Sequence, residues 1–235
     1  MTKNKIKAIE HKFSNQSTDN EHVMTLNGAI GRGGWFYEAT SADDVRNALH
    51  DVTESTIRIK LNSGGGDVFH GIEIYNYLKD LNKKIIVEVT ANAASAASII
   101  AMGADEVIMK TGATMMIHEA STWAEGTKSD IQKTMNALEA IDDSIVSIYQ
   151  EKTGLSAEEI NAFIEAETWF TVEQAVKHGF ADSVEVAEEP QVTDPVFTDE
   201  LINRLAAQIT NNLTNKTNDE PFQQPIVAKK QGFIF

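Results

Sequence analysis

Three short stretches carry the side chains and turns from which acyl transfer can be built: Asn62-Ser63-Gly64-Gly65-Gly66-Asp67, Ala93-Ala94-Ser95-Ala96-Ala97-Ser98 and Met115-Met116-Ile117-His118-Glu119. A serine hydroxyl attacks a carbonyl when a base takes its proton, and the oxyanion that forms needs fixed N–H donors. Ser95, His118 and a glycine turn supply a nucleophile, a base and an anion-binding backbone. Taken singly, each has a plainer reading. Ser95 and Ser98 can cap or pack a small-residue helix, the glycines can meet a steric need at a tight turn, and a strand-end histidine is more often a satisfied core or surface residue. Their joint occurrence favours the chemistry.

Each stretch lies where a strand gives way to a turn. Ile57, Ile59 and Leu61 alternate as in a strand that runs into the glycines, and Val68, Ile72, Tyr75 and Leu78 then recur at helical spacing. The glycine turn therefore sits between strand and helix, where successive N–H groups converge on an anion. The β-branched run Ile85 to Thr90 predicts a strand over 84–91, and the small residues before Ile99-Ile100-Ala101-Met102 predict a tight turn and a buried helix over about 95–103. A hydroxyl on such an elbow is lifted to the end of a sheet, with the N–H groups of a helix N-terminus behind it. Short strands are expected at 106–109 and 114–117, and the second delivers His118. Of six histidines, only His118 ends an apolar strand leading out of the Ser95 unit; His70 falls in the helix after the glycines and His178 in a C-terminal turn.

Around these parts the chain reads as a strand at His22 to Gly28, a helix over about 41–51 opened by a capping box at Ser41, and one long amphipathic helix from Thr127 to about Lys152. The apolar side of that helix is Ile131, Met135, Leu138, Ile141, Ile145, Ile148 and Tyr149. Capping boxes at Ser156 and Thr171 open two further helices, to about Ile164 and to Gly179. Between them, Glu165 to Phe170 pairs carboxylates with aromatics. Residues 1–20 read as a flexible N-terminal segment with at most a strand at Ile6 to Ile9. Residues 21–187 read as one domain, and residues 188–235 as a linker, a helix from Thr198 to about Ile209 and a flexible tail. The apolar end Gly232-Phe233-Ile234-Phe235 is either a docking peptide or an end without a role.

With 235 residues and 42% hydrophobic side chains the chain can bury a full core, and a formal charge of −15 argues against nucleic acid or an anionic membrane as main partner. Without cysteine there is no disulfide framework, thiolate nucleophile or cysteine metal site. No dinucleotide or phosphate-loop pattern occurs, so no cofactor or metal is expected. No apolar segment reaches the roughly 20 residues of a membrane span and no signal peptide is evident, so the expectation is a soluble, cytoplasmic protein.

On its three motifs, in their order, the chain resembles the Clp protease proteolytic-subunit superfamily, and within it the phage head-maturation (prohead) proteases related to that subunit. The resemblance covers about 55–187. Asn62 to Val68 matches the family's Asn-Ser-Pro-Gly-Gly turn with Gly64 in place of proline, Ala93-Ala94-Ser95 the nucleophile motif, and Met116-Ile117-His118 the base motif. It implies an α/β fold, the Clp-protease and crotonase-like spiral of repeated β-β-α units with a long protruding helix. It implies Ser95 as nucleophile, His118 as general base, and the N–H groups of Gly65 and Ala96 as oxyanion hole, with Gly66 and Asp67 along the substrate backbone. Aligning the helix opened by Thr171 puts the third, acidic member at Glu167, where aspartate is usual; Asp142, Asp182 and a dyad without an acid remain alternatives, and Ser98 is structural.

The segment before residue 55 does not resemble the region that docks the ATPase ring in the housekeeping subunit, and Gly31 to Trp35 with Asp67-Val68-Phe69 fit the phage type better. The implied partners are a polypeptide substrate, capsid or scaffold protein, and further copies of the chain in rings that can stack through the 127–152 helix. The implied place is the cytoplasm of a bacterial host, at the assembling prohead. Other readings are an ATP-dependent Clp protease subunit, a crotonase-like enzyme acting on CoA thioesters, and a non-catalytic scaffold that keeps the fold.

Overall fold

The computed structural model describes residues 9–18, 20–35, 37–185, 203–204 and 206–208. The chain divides into two units, 1–187 and 188–235. In the second unit, 203–204 and 206–208 are helical; the expected linker, the rest of the 198–209 helix and the apolar terminus lie outside the described residues, as does the expected strand at 6–9 apart from Ile9.

Among the described residues of the first unit, β1 (Lys12–Ser17) comes first, antiparallel to β2 (His22–Asn27), followed by a two-residue ladder of β3 (Ala29–Ile30) and β4 (Ala39–Thr40). Then come α1 (Ala42–Leu49), β5 (Thr56–Ser63), α2 (Val68–Asp80), β6 (Lys84–Ala94), α3 (Ala96–Met102), β7 (Glu106–Lys110) and β8 (Thr114–Ile117). The chain continues through α4 (Lys128–Thr153), α5 (Ala157–Glu165), β9 (Thr168–Phe170), α6 (Val172–Lys177) and β10 (Ser183–Glu185). A strand over 12–17 departs from the expectation of a flexible segment.

In the main sheet the order β1-β2-β5-β6-β7-β10 follows the chain, so each crossover moves the same way along the sheet; β2, β5, β6, β7 and β10 are parallel. One face is dry. Met24, Leu26, Ile57, Ile59, Leu61, Val87, Val89, Val107 and Met109 are fully buried beneath helices whose apolar residues join the same core. Burial of such side chains, each worth roughly 1.5–3 kcal/mol, is what holds the sheet against its helices.

The other face carries a row of charges. Glu88, in the middle of β6 and almost fully buried, lies 3.5 Å from Arg58 and 3.3 Å from Lys110; Arg58 also holds Glu21 at 3.0 Å and Lys110 holds Glu185 at 2.7 Å. A buried carboxylate is tolerated because cations stand on both sides.

β6 is shared between two ladders. Ile86–Val89 pairs with β7, whereas Asn92–Ala94 pairs with β8, and β8 pairs in turn with β9 in antiparallel register. The helices begin where the sequence signals them: Ser41, Thr127, Ser156 and Thr171 each close a capping box, and Gly154, at φ 72°, ends α4. Only the second half of α4 enters the core. Ile145, Val146, Ile148 and Tyr149 are buried, while Ile131 and Met135 are 40% and 50% exposed, so the apolar stripe read from the sequence is half covered in the single chain.

Candidate active site

The glycine turn, Ser95 and His118 leave the C-terminal ends of three neighbouring strands, β5, β6 and β8. Ser63 pairs with Ala93 on one side of β6 and Met116 with Ala94 on the other, so the chain order of the motifs becomes a spatial neighbourhood. The ladder runs one step past the strand, because the Ser95 N–H donates to the Met116 carbonyl at 2.9 Å. There the chain turns sharply. Ser95 has φ 56° and ψ −127°, a conformation that non-glycine residues rarely adopt and that costs on the order of 1–3 kcal/mol. Its hydroxyl makes no capping bond to α3; instead Ser95 Oγ lies 2.8 Å from His118 Nε2. With the imidazole neutral and its proton on Nδ1, Nε2 accepts from the hydroxyl.

Gly65 packs directly against this turn. A Cβ on Gly65 would stand 2.6 Å from both the Ala94 carbonyl oxygen and Ser95 Cβ, and 2.9 Å from the Ala96 nitrogen. The Gly65 N–H donates to the buried Ser63 Oγ at 3.0 Å, and its carbonyl accepts from the Ile30 N–H at 3.0 Å. Ala96 is the first residue of α3, so its N–H has no acceptor within the helix. Asp67 caps α2, its carboxylate accepting from the N–H groups of Phe69 at 2.8 Å and His70 at 3.2 Å.

Ser95 and His118 open into a cleft of about 600 Å³. Gly66 to Phe69 form one wall, residues 118–122 a second and α4 from Lys133 to Tyr149 a third; Val68, Ile99, Leu138, Ile141 and Ile145 make its surface largely apolar. A cleft of this size and character buries apolar groups and fixes them with a few polar side chains.

The carboxylates considered as third member stand differently. Thr168 pairs with Ile117 at the end of the β8–β9 ladder, and Glu167 and His118 are the next residues beyond it. The Glu167 side chain is exposed and turned toward Trp169, whose Nε1 donates to Glu167 Oε1 at 3.4 Å, and Glu167 itself is left-handed at φ 47°. The resemblance offered Glu167 as the acidic member, and here its side chain points to Trp169. Asp142 accepts from the Ala120 N–H at 2.7 Å and anchors the segment leaving His118 to α4. Asp182 accepts from the Val107 N–H at 2.7 Å and from Lys152 at 2.9 Å, which ties β7 to the end of α4. His70 accepts from the Ala42 N–H at 3.2 Å, and His178 packs edge-on to Phe163 at 5.1 Å, so neither joins Ser95. Among the described residues, no cluster of three or more His, Asp or Glu side chains forms a metal site, and no helix is long and apolar enough to cross a membrane.

Tyr149 was legible only as part of an apolar stripe, yet it lines this cleft. Its hydroxyl direction has no signature in the sequence.

Comparison with known proteins identifies the family and the fold. The ATP-dependent Clp protease proteolytic subunit 2 of Pseudomonas aeruginosa is 27% identical over 180 residues, 74% of this chain and 88% of that protein. The ATP-dependent Clp protease proteolytic subunit of Bacteroides fragilis is 28% identical over 132 residues, and subunit 1 of Streptomyces avermitilis 31% over 134 residues; those matches cover 54% and 56% of this chain and 63% and 62% of those proteins. Among solved structures, a mutant of ClpP1 from Listeria monocytogenes superposes with a TM-score of 0.57 at 24% identity, covering 63% of this chain and 85% of that one, which shows the shared fold. The model of the family described as Clp protease matches residues 38–188. That match spans well over half of the sequence, and on it the chain belongs to the Clp protease family of serine-type peptidases.

Proposed function

We propose that this protein is a serine endopeptidase in which Ser95 is the nucleophile and His118 the general base. The observation that carries the reading is the 2.8 Å contact between Ser95 Oγ and His118 Nε2 at a strained strand-to-helix turn. As Oγ attacks the scissile carbonyl carbon, its proton passes to Nε2, and the carbonyl oxygen becomes the oxyanion of a tetrahedral intermediate. The Ala96 N–H receives that oxygen. Gly65 supplies a second donor once substrate draws its N–H off Ser63 Oγ. The imidazolium then protonates the leaving amine, and water, deprotonated by His118, releases the acyl group.

Glu167 does not touch the imidazole in this arrangement, so the working pair is a dyad. Glu167→Gln is therefore expected to lower kcat/KM by less than about tenfold, far below the loss of a group that transfers the proton. A loss beyond about 10³-fold in steady-state assays would show that Glu167 swings onto His118 during the reaction.

The substrate is a polypeptide and the working form a ring of copies of the chain. Within that class we assign cleavage of capsid or scaffold protein during phage head maturation, without an ATPase of its own, on the resemblance of the Gly31 to Trp35 loop and the Asp67-Val68-Phe69 continuation to that branch. The names of the relatives, which are ATP-dependent subunits, favour a second reading in which a Clp ATPase feeds the cleft. Cleavage of a folded capsid precursor by the protein alone supports the first; cleavage of a folded substrate only with a Clp ATPase and ATP supports the second. The chemistry common to both is tested by a fluorophosphonate probe with the adduct located by mass spectrometry. Label on Ser95 is expected. An unlabelled assembled protein, or label on Ser98 instead, overturns the assignment.

A further inference from the structure

Behind the Ser95 turn lie two buried hydroxyls, bonded to each other, that the reaction just described does not use. Between Ala93 and Met102 the only polar side chains are Ser95 and Ser98, and Ser98 is fully buried. Ser98 Oγ donates to the Ser95 carbonyl oxygen at 2.6 Å and lies 2.8 Å from the Tyr149 hydroxyl. A serine hydroxyl has one proton to give, and here it goes to the carbonyl, so the phenol donates to Ser98 Oγ. Tyr149 is itself 1% exposed and packs edge-on to Phe180 at 5.6 Å. Burial pushes its phenol well above the usual tyrosine range, which keeps it a neutral donor.

A serine bonding three residues back along its own helix is a common local device and needs no outside partner. What is not local is the second link, from an element 51 residues away. The carbonyl it ends on belongs to the residue at φ 56° and ψ −127°, and it also accepts from the N–H groups of Ser98 at 2.9 Å and Ile99 at 3.4 Å. The direction of that carbonyl is fixed by the same ψ that seats the turn. The flanking alanines offer no polar group for the task, so the chain of hydroxyls is the side-chain restraint on this peptide unit.

We infer that Ser98 and Tyr149 are positioning residues for the nucleophile: the relay from the Tyr149 hydroxyl through Ser98 Oγ to the Ser95 carbonyl holds Ser95 in the conformation in which its Oγ meets His118. The inference rests on the serine-peptidase reading above. It assigns α4 a part in the chemistry without contact to the reacting atoms, and it predicts that the two hydroxyls act as one unit.

The test uses fluorophosphonate inactivation of the full chain, resolved into kinact and KI, for Tyr149→Phe, Ser98→Ala and the double variant. Each single variant is expected to lower kinact about tenfold with KI within about twofold, and the double variant to be no slower than the worse single one, as for groups that act together. Hydrogen exchange over 93–102 is expected to quicken in Tyr149→Phe while thermal unfolding, followed as a control, stays close to wild type. Tyr149→Phe keeps the ring on Phe180, so the test survives a Ser98→Ala protein that fails to fold. Labelled wild type with unchanged variants, additive losses, or a change confined to KI overturns the relay and leaves the peptidase reading standing. An unlabelled wild type overturns the peptidase reading, and the relay is then decided by exchange alone: unchanged exchange in Tyr149→Phe overturns it, and quickened exchange supports it.

Discussion

His118→Ala is expected to lower kcat/KM by about 10⁴-fold or more while the unfolding transition barely moves. The imidazole is half-buried at a strand end, and its hydrogen bond to a protein group goes to Ser95 Oγ, so its removal releases no core packing. What is lost is the acceptor for the serine proton. A serine hydroxyl is a weak nucleophile at neutral pH, and comparable deletions in other Ser-His enzymes cost on the order of 10⁶-fold in kcat. KM is expected to stay near wild type, because the apolar walls contributed by α2, α3 and α4 remain. Burst kinetics with an ester substrate checks both parts of the expectation. A variant that retains more than about a tenth of the rate would remove His118 from the mechanism.

Gly65→Ala is the second large effect, and here stability and activity fall together. The new methyl meets the Ala94 carbonyl, Ser95 Cβ and the Ala96 nitrogen at 2.6 to 2.9 Å, and none of these is the far end of a flexible side chain. Gly65 also stands at φ 88°, where an L side chain is strained by roughly 1–2 kcal/mol. With overpacking worth typically 1–3 kcal/mol more, a loss of about 2–5 kcal/mol is expected in denaturant titrations. The clash is resolved by pushing the Ser95 turn away, so a loss of at least about 10³-fold in kcat/KM should accompany it. Gly64→Ala is the internal control. A Cβ there meets nothing within 4 Å and φ is not positive, so it is expected to be neutral or to stabilise by about 0.4–1 kcal/mol through the unfolded chain.

The parts of this fold that the sequence announces are those written in local physics. Alternating Ile57, Ile59 and Leu61, the β-branched run before Ser95 and the capping boxes at Ser41, Ser156 and Thr171 each satisfy a backbone or burial requirement within a few residues. The parts that stay silent are settled at long range. Lys12–Ser17 is a strand with almost every side chain exposed, so no periodicity marks it, and its pairing with β2 decides its conformation. β9 is three residues long and shows Trp169 half to solvent, which reads as a loop until β8 is placed beside it. Glu167 illustrates the limit at the site itself. The motif resemblance names the residue just beyond the β8–β9 ladder, but the direction of its carboxylate is a rotamer choice made beside a left-handed backbone and Trp169. The bond between Ser98 and Tyr149 likewise joins a small-residue helix to an amphipathic one and leaves no trace in either pattern.

The placement of the reactive groups on three neighbouring parallel strand ends has a kinetic side. β5 meets β6 across a helical crossover, and β6 meets β8 only after α3 and β7 have been threaded between them, so Gly65, Ser95 and His118 come together only through two long-range parallel pairings. Parallel pairings of this kind close long loops before they gain contacts, which makes them late events in folding. On the reading proposed above, peptidase activity is therefore expected to appear only once β5, β6 and β8 have paired, together with the core that their pairing closes.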